Sequence, residues 1–153
     1  MQLTDLISPD RIACDIDAQS KKRALERLSE LISRGQENVS TADVFNSLLA
    51  RERLGATGVG YGVAIPHGRL KNSKLALGAF IKLKKGVDFD ALDHQPVDLL
   101  FALLVPEKSD SEHLQTLAQL ASLFRDEAMR KKLRQVDSGP ALHQLFVEWQ
   151  QSH

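Results

Sequence analysis

Cysteine, net charge, long apolar runs and linker-like segments are what this 153-residue sequence has least of. The one cysteine, Cys14, permits no internal disulfide and no cysteine-built zinc site, and it suits a reducing compartment, so a cytoplasmic location is expected. Lys and Arg number 20 and so do Asp and Glu. Without a basic surplus, a general nucleic-acid or membrane-surface role loses its usual electrostatic support. The longest apolar stretches, such as Leu99 to Val105, are far too short to cross a bilayer, so direct membrane insertion is not expected. The opening MQLTDLISPDR has no basic segment followed by an apolar run, and no secretory signal is expected from it. No internal repeat, low-complexity tract or Pro/Gly/Ser-rich linker divides the chain.

What is there suits one globular domain. Apolar residues make up 42% of the sequence, close to the globular norm, and the length allows a sizeable core. The spacing of Ala24, Leu25, Leu28, Leu31 and Ile32 predicts a helix over 20–34, with Ser20 as its cap and Gly35 as its end. A second helix is predicted over 41–54, with Ser40 and Asp43 as a variant capping box and Val44, Phe45, Leu48 and Leu49 as its buried stripe. The stretches 75–83 (LALGAFIKL) and 97–105 (VDLLFALLV) read as strands, the second so apolar that it should be covered on both faces. Between them 86–95 reads as an Asp-rich loop with a brief strand at Val87–Phe89. A third helix is predicted from near Asp110 to Arg125, burying Leu114, Leu117, Ala118, Ala121 and Phe124. A short helix over 127–134 and a last one over 138–149 follow, the latter with Leu142, Leu145, Phe146 and Trp149 inward. Helices before, between and after buried strands give a single α/β domain.

One segment departs from these patterns. In 51–69 (RERLGATGVGYGVAIPHGR), Gly55, Gly58, Gly60 and Gly62 crowd into eight positions, and His67 follows between Pro66 and Gly68. Glycine allows backbone N–H groups to approach an anion closely, although a glycine cluster alone also suits a simple turn. A Walker A loop would need Lys-Ser/Thr where Tyr61-Gly62 stand. A dinucleotide fingerprint would need other spacing and a strand ahead of it. Nucleotide binding is therefore disfavoured. His67 is better placed: Pro66 fixes its own φ, and Gly68 removes bulk on the other side. A phosphorylated imidazole needs partners for nearly two negative charges, and Arg51 or Arg69 could supply a charge-assisted fork. His113 falls in the first turn of the third helix, with Ser109 and Glu112 at capping-box spacing, where a helix's positive end favours a neutral ring.

The remaining candidates carry less. His94, His143 and His153 read as structural or solvent-exposed, and Cys14 as a small, partly buried residue. Asp88, Asp90 and Asp93 lack the glycine and terminal glutamate of an EF-hand, so a solvated turn is expected. A metal site built on His67 and His113 lacks the further carboxylate or cysteine that zinc usually takes.

With these residues in view, LGATGVGYGVAIPHGR together with PVDLLFALLVPE resembles the enzyme IIA domains of the bacterial phosphoenolpyruvate-dependent phosphotransferase system, mannitol/fructose class, and most of all their nitrogen-regulatory branch. The resemblance runs over nearly the whole chain, so 1–153 is expected to be one such domain. It implies a central mixed β-sheet with helices on both faces. It implies that His67, the histidine of the IPHG motif, accepts a phosphoryl group from a small histidine-phosphorylated carrier protein. Arg51 matches the family's arginine on the helix ahead of the glycine loop, and His113 its second histidine. Arg51 would balance phosphoryl charge, His113 would orient the phosphoryl oxygens, and loop N–H groups would assist, with no metal or diffusible cofactor. Leu54, Val59, Tyr61 and Leu114 are candidates for an apolar rim where the donor docks. For the nitrogen-regulatory branch the resemblance implies signalling by phosphorylation state toward protein targets such as potassium-transport or sensor-kinase proteins. A sugar-specific enzyme IIA passing phosphate to an enzyme IIB, and a non-catalytic interaction module, are the competing readings.

Overall fold

The computed structural model describes residues 2–108 and 112–153. A short helix α1 (Leu3–Leu6) and a 3-10 turn (Pro9–Arg11) lead into strand β1 (Ile12–Ile16). Then come α2 (Lys21–Ser33), α3 (Thr41–Leu54), the short strands β2 (Gly58–Gly60), β3 (Val63–Ala64) and β4 (His67–Leu70), the long strands β5 (Leu77–Val87) and β6 (Val97–Pro106), and α4 (Glu112–Arg125), α5 (Glu127–Gln135) and α6 (Gly139–Ser152). The helix starts follow cap chemistry. The hydroxyls of Ser20, Ser40 and Ser138 accept the N–H groups of Arg23, Asp43 and Ala141 at 3.1, 3.0 and 3.2 Å. Just past α2, Gly35 takes φ +74° and turns the chain away.

The sheet runs β1-β5-β6-β3-β2, with β4 also paired to β6. β6 is antiparallel to β5 and parallel to both β3 and β4, and β1 is parallel to β5, so the sheet is mixed as expected. Both faces of β6 are buried with period two. Leu100, Ala102 and Leu104 meet Leu25, Leu28 and Ile32 of α2 and Val44 and Leu48 of α3. Leu99, Phe101, Leu103 and Val105 meet Leu120, Leu123 and Phe124 of α4, Leu133 of α5, and Leu142 and Phe146 of α6. In this second layer Phe80, Phe101, Phe124 and Phe146 form one ring cluster with centroids 5.2 to 6.4 Å apart. Each such buried ring is worth roughly 2–3 kcal/mol.

Several expectations need correcting. β5 starts at Leu77, leaving Leu75 exposed, and it continues through Gly86 to Val87, which pairs with Val97; Asp88 and Phe89 lie beyond the strand. In α4 the buried side chains are Thr116, Leu120, Leu123 and Phe124, while Leu114 and Ala118 are exposed and Leu117 and Ala121 only partly covered. The expected start near Asp110 and the Ser109–Glu112 box lie outside the described residues. β1 is a further strand, not foreseen from its residues, and Cys14 within it is partly buried as expected. Asp88, Asp90 and Asp93 are exposed, as expected of a solvated turn, and they also hold it: Asp88 caps the Asp90 N–H, Asp90 pairs with Lys21, and Asp93 accepts from Tyr61 and Gln95.

Candidate functional site

His67 opens β4 opposite Leu103. Pro66 has no N–H to give, but its carbonyl accepts the Leu103 N–H at 2.9 Å, so the chain stays on β6 through the proline. Val63 and Ile65 belong to the core layer under α4–α6, and Ala64 and Leu70 to the layer under α2 and α3. By the same alternation His67 and Arg69 point toward α4, and Gly68 toward α3. A Cβ on Gly68 would overlap Ser47 Oγ and stand 3.2 Å from the Ser47 carbonyl oxygen. Glycine there lets α3 lie directly against β4. Ser47 locks that contact by donating to the Arg69 carbonyl at 2.8 Å.

A cavity of about 550 Å³ lies between α3 and α4 along β4. Arg51 and Leu54 enter it from α3, His67 and Arg69 from β4, Leu103 and Val105 from β6, and His113 and Leu117 from α4. The three residues singled out as a site, His67, Arg51 and His113, therefore share one cavity, although they are far apart in sequence. The His67 ring is half-buried on its wall. Its Nδ1 lies 2.9 Å from the Ile65 carbonyl oxygen. A carbonyl can only accept, so Nδ1 carries the hydrogen, and in the neutral ring Nε2 keeps the lone pair. Burial pulls the His67 pKa below its ordinary value, and the charges of Arg51 and His113 push the same way, against the Ile65 hydrogen bond and the Glu52 carboxylate.

Arg51 Nη1 donates to the Gly55 carbonyl at 2.8 Å, which holds the guanidinium across the C-terminal end of α3. Arg69 Nη1 reaches the carbonyls of Pro106 and Glu107 at 3.4 and 3.1 Å, and its Nη2 lies 3.4 and 3.3 Å from Nδ1 and Nε2 of His113. The second candidate arginine thus contacts the second histidine.

Two expectations about the surroundings change. The glycine run does not line the cavity. It makes the tight β2–β3 turn, in which Gly60, Tyr61 and Gly62 all have positive φ, and the N–H groups of Thr57 and Tyr61 are taken by Glu52 and Asp93. Of the four rim candidates, Leu54 is at the cavity and 85% exposed, and Leu114, beside His113, is 59% exposed. Val59 and Tyr61 are exposed but do not line the cavity. The Tyr61 carbonyl shares Arg134 with Asp98, five residues from Leu103 along β6, or about 17 Å at the usual rise. Ser47 and Glu52 escaped the sequence reading. A serine in mid-helix and a glutamate between two arginines carry no pattern that separates them from surface residues. Among the described residues no group of three His, Cys, Asp or Glu converges as a metal would need. No helix among them is long and apolar enough to cross a membrane.

Comparison with known proteins decides the family. Residues 5–149 match the family model described as phosphoenolpyruvate-dependent sugar phosphotransferase system, EIIA 2. The chain belongs to this family. It is a phosphotransfer component of that system, an enzyme IIA of the mannitol/fructose class. The nitrogen regulatory protein of Klebsiella oxytoca is 42% identical over 149 residues, covering 97% of this enzyme IIA and 91% of the relative. The crystal structure of nitrogen regulatory protein IIA-Ntr from Neisseria meningitidis superposes with a TM-score of 0.89 at 43% identity, covering 94% of this chain and 98% of the other. A fructose-specific EIIA component of Haloferax volcanii is 34% identical over 152 residues, covering 97% and 98%.

Proposed function

We propose that this enzyme IIA, acting as one domain over 1–153, is a phosphoryl carrier of the nitrogen-related phosphotransferase system and that His67 is the acceptor. The observation that carries the reading is the tie between Nδ1 of His67 and the Ile65 carbonyl, which leaves the Nε2 lone pair available on a cavity wall shared with Arg51 and His113. The donor is a small protein phosphorylated on histidine. Nε2 attacks phosphorus in line as the donor's N–P bond breaks, and that electron pair returns to the donor ring. Nδ1–H stays in place, so the ring's positive charge passes to His67 with the phosphoryl group. Little covalent work falls to the protein, and position and charge do the rest. Arg51 balances the phosphoryl oxygens, and His113, backed by Arg69, hydrogen-bonds them.

The exposed Leu54 and Leu114 give the donor apolar ground beside the acceptor. A doubly negative group added there changes which proteins that face can bind, which suits a cytoplasmic signalling role toward targets such as potassium-transport or sensor-kinase proteins. The nitrogen regulatory relatives support this branch. The fructose-specific relative favours a second reading, in which phosphate passes on to an enzyme IIB. Incubation with purified phosphorylated donor tests the first step. Wild type should gain one acid-labile phosphoryl group and His67→Ala none; equal labelling of the two overturns the assignment.

A further inference from the structure

We propose that Glu52 is a positioning residue for His67: through Thr57 and Ile65 it fixes the tautomer that leaves Nε2 as the acceptor, and its carboxylate supports the positive charge the ring takes up with the phosphoryl group. The proposal rests on the carrier reading above.

Glu52 is an anomaly by local rules. It sits in the last turn of α3, where the helix dipole disfavours a carboxylate, and it is only 6% exposed. Its neighbours Arg51 and Arg53 are not its partners. Its oxygens accept the Thr57 N–H at 2.9 Å and the Thr57 hydroxyl, and Lys21 Nζ lies 3.0 Å away. Lys21 is a cation in the first turn of α2, again against the dipole, and it is drawn there by Glu52 and by Asp90 at 3.1 Å.

From Thr57 the contacts run inward. The Thr57 carbonyl accepts the Ile65 N–H at 3.0 Å, and the Ile65 carbonyl accepts Nδ1–H of His67 at 2.9 Å. Three contacts thus join the buried carboxylate to the acceptor ring. If Thr57 shifts, Ile65 shifts, and the carbonyl that selects the tautomer moves with it. Glu52 also stands next to Arg51 in sequence, so the group that fixes the ring is on the same helical turn as the group that meets the phosphoryl oxygens. Charge completes the arrangement. Arg51 from α3, Arg69 from its own strand and His113 from α4 line the cavity with His67; the Glu52 carboxylate, bound to Thr57 and paired with Lys21 of α2, stands behind that lining and reaches the ring through its charge. Glu52 alone among them is negative, so it opposes the cations that disfavour a positive ring.

The test uses the full chain labelled with nitrogen-15, with phosphoramidate as a small phosphoryl donor. In wild type the His67 ring nitrogens should report hydrogen on Nδ1; hydrogen on Nε2 overturns the proposal before any variant is made. Glu52→Gln removes the charge and keeps the shape. In the folded variant the tautomer should become mixed, the imidazole titration should move to lower pH, and phosphate acceptance should slow by about ten- to a hundredfold, the penalty of a misplaced reactant. Glu52→Asp should restore the titration more than the rate, because it returns the charge with a shorter reach. A merely structural glutamate would lower the melting temperature and leave tautomer, titration and rate as in wild type, and that result overturns the proposal. Should Glu52→Gln not fold, Thr57→Val removes one of the carboxylate's contacts and must shift the tautomer in the same direction or the proposal fails. If wild-type His67 acquires no phosphate, the carrier reading falls by itself, while the tautomer measurements still judge the link from Glu52 to His67.

Discussion

The two ends of the β3–β4 stretch that runs beside β6 hold similar parts in different states. Each has arginines, a ring and glycine. At the Tyr61 end, Arg134 grips Asp98 with Nε and Nη2 at 3.1 and 2.9 Å and the Tyr61 carbonyl at 2.6 Å. Arg130, almost fully buried, spends its Nη1 on the carbonyls of Phe124 and Arg125 and stacks over Tyr61 at 4.2 Å. A Cβ on Gly62 would stand 2.5 Å from Arg134 Nη2. That end is closed, and the arginine at its surface, Arg134, is paired with a carboxylate. At the His67 end, Arg51 bonds a backbone carbonyl, and no carboxylate pairs with it among the described residues. A guanidinium paired with a carboxylate fastens the fold, whereas one held only by a dipole keeps most of its charge for an incoming anion.

Exchanging the arginine lost at each end is the strongest way to break that contrast. Arg51→Ala should slow phosphate acceptance by about a hundredfold, the usual cost of removing a group aimed at developing charge, with little change in melting temperature. Arg134→Ala should do the reverse: near-normal acceptance, and a stability loss of about 1 kcal/mol by denaturant unfolding, modest because the pair is partly exposed. Stopped-flow transfer from the phosphorylated donor and urea titration of the two variants check both halves. Equal effects on transfer would show that the two ends do not differ in the way described.

A smaller effect sharpens the same contrast within the cavity. His113→Ala leaves the acceptor and Arg51 in place and removes one hydrogen-bonding ring from the phosphoryl oxygens. Transfer should slow by about tenfold, the worth of one charge-assisted hydrogen bond, while the final extent of phosphorylation stays near that of wild type. An unchanged rate would reduce His113 to a helix residue held by Arg69.

The legible parts of this molecule are those whose local signal agrees with the tertiary demand. The Ser20 and Ser40 caps, the apolar stripes of α2 and α3 and the double-faced β6 could be read because spacing and burial coincide. β1 could not. Its register shifts between Ala13 and Ile16, and Asp15 there takes φ +59°, so the period-two signal is broken inside five residues. The α4 stripe is legible only in part: Phe124 is buried and Leu117 packs against the core as expected, but Leu114, Ala118 and Ala121 have helical spacing as good as that of Thr116, Leu120 and Leu123, and only the Phe80–Phe101 layer decides between them. The glycine run shows the same limit. Its backbone freedom is evident in the sequence, but whether it serves an anion or a tight turn depends on where the sheet carries it. His67 was legible because the residues on either side constrain it. Glu52 was not, since its partners Thr57 and Lys21 join it only in the folded chain.

The finest distinction between the two ends is in pH. Burial and the cation of Arg51 hold the His67 pKa below the ordinary value of about 6.5, so the ring is neutral with Nε2 free across the neutral range. Acceptance should therefore be flat as pH is lowered from about 8, and should fall only below the range where a histidine in an unstructured peptide titrates. The stability consequence has a definite sign. Between the folded and unfolded values the unfolded chain binds the extra proton, so the contribution of His67 is fully present above the unfolded value of about 6.5 and is lost as pH falls toward the lower folded one. Arg51→Ala removes one of the charges opposing the imidazolium, so it should move the acceptance midpoint up toward the ordinary value. Arg134→Ala, at the other end of the β3–β4 stretch and already paired with Asp98, should leave the midpoint where it is. A midpoint that responds equally to both substitutions would mean that the electrostatics of the cavity are set by the charge of the whole molecule, and that the carboxylate partner at one end makes no difference at the other.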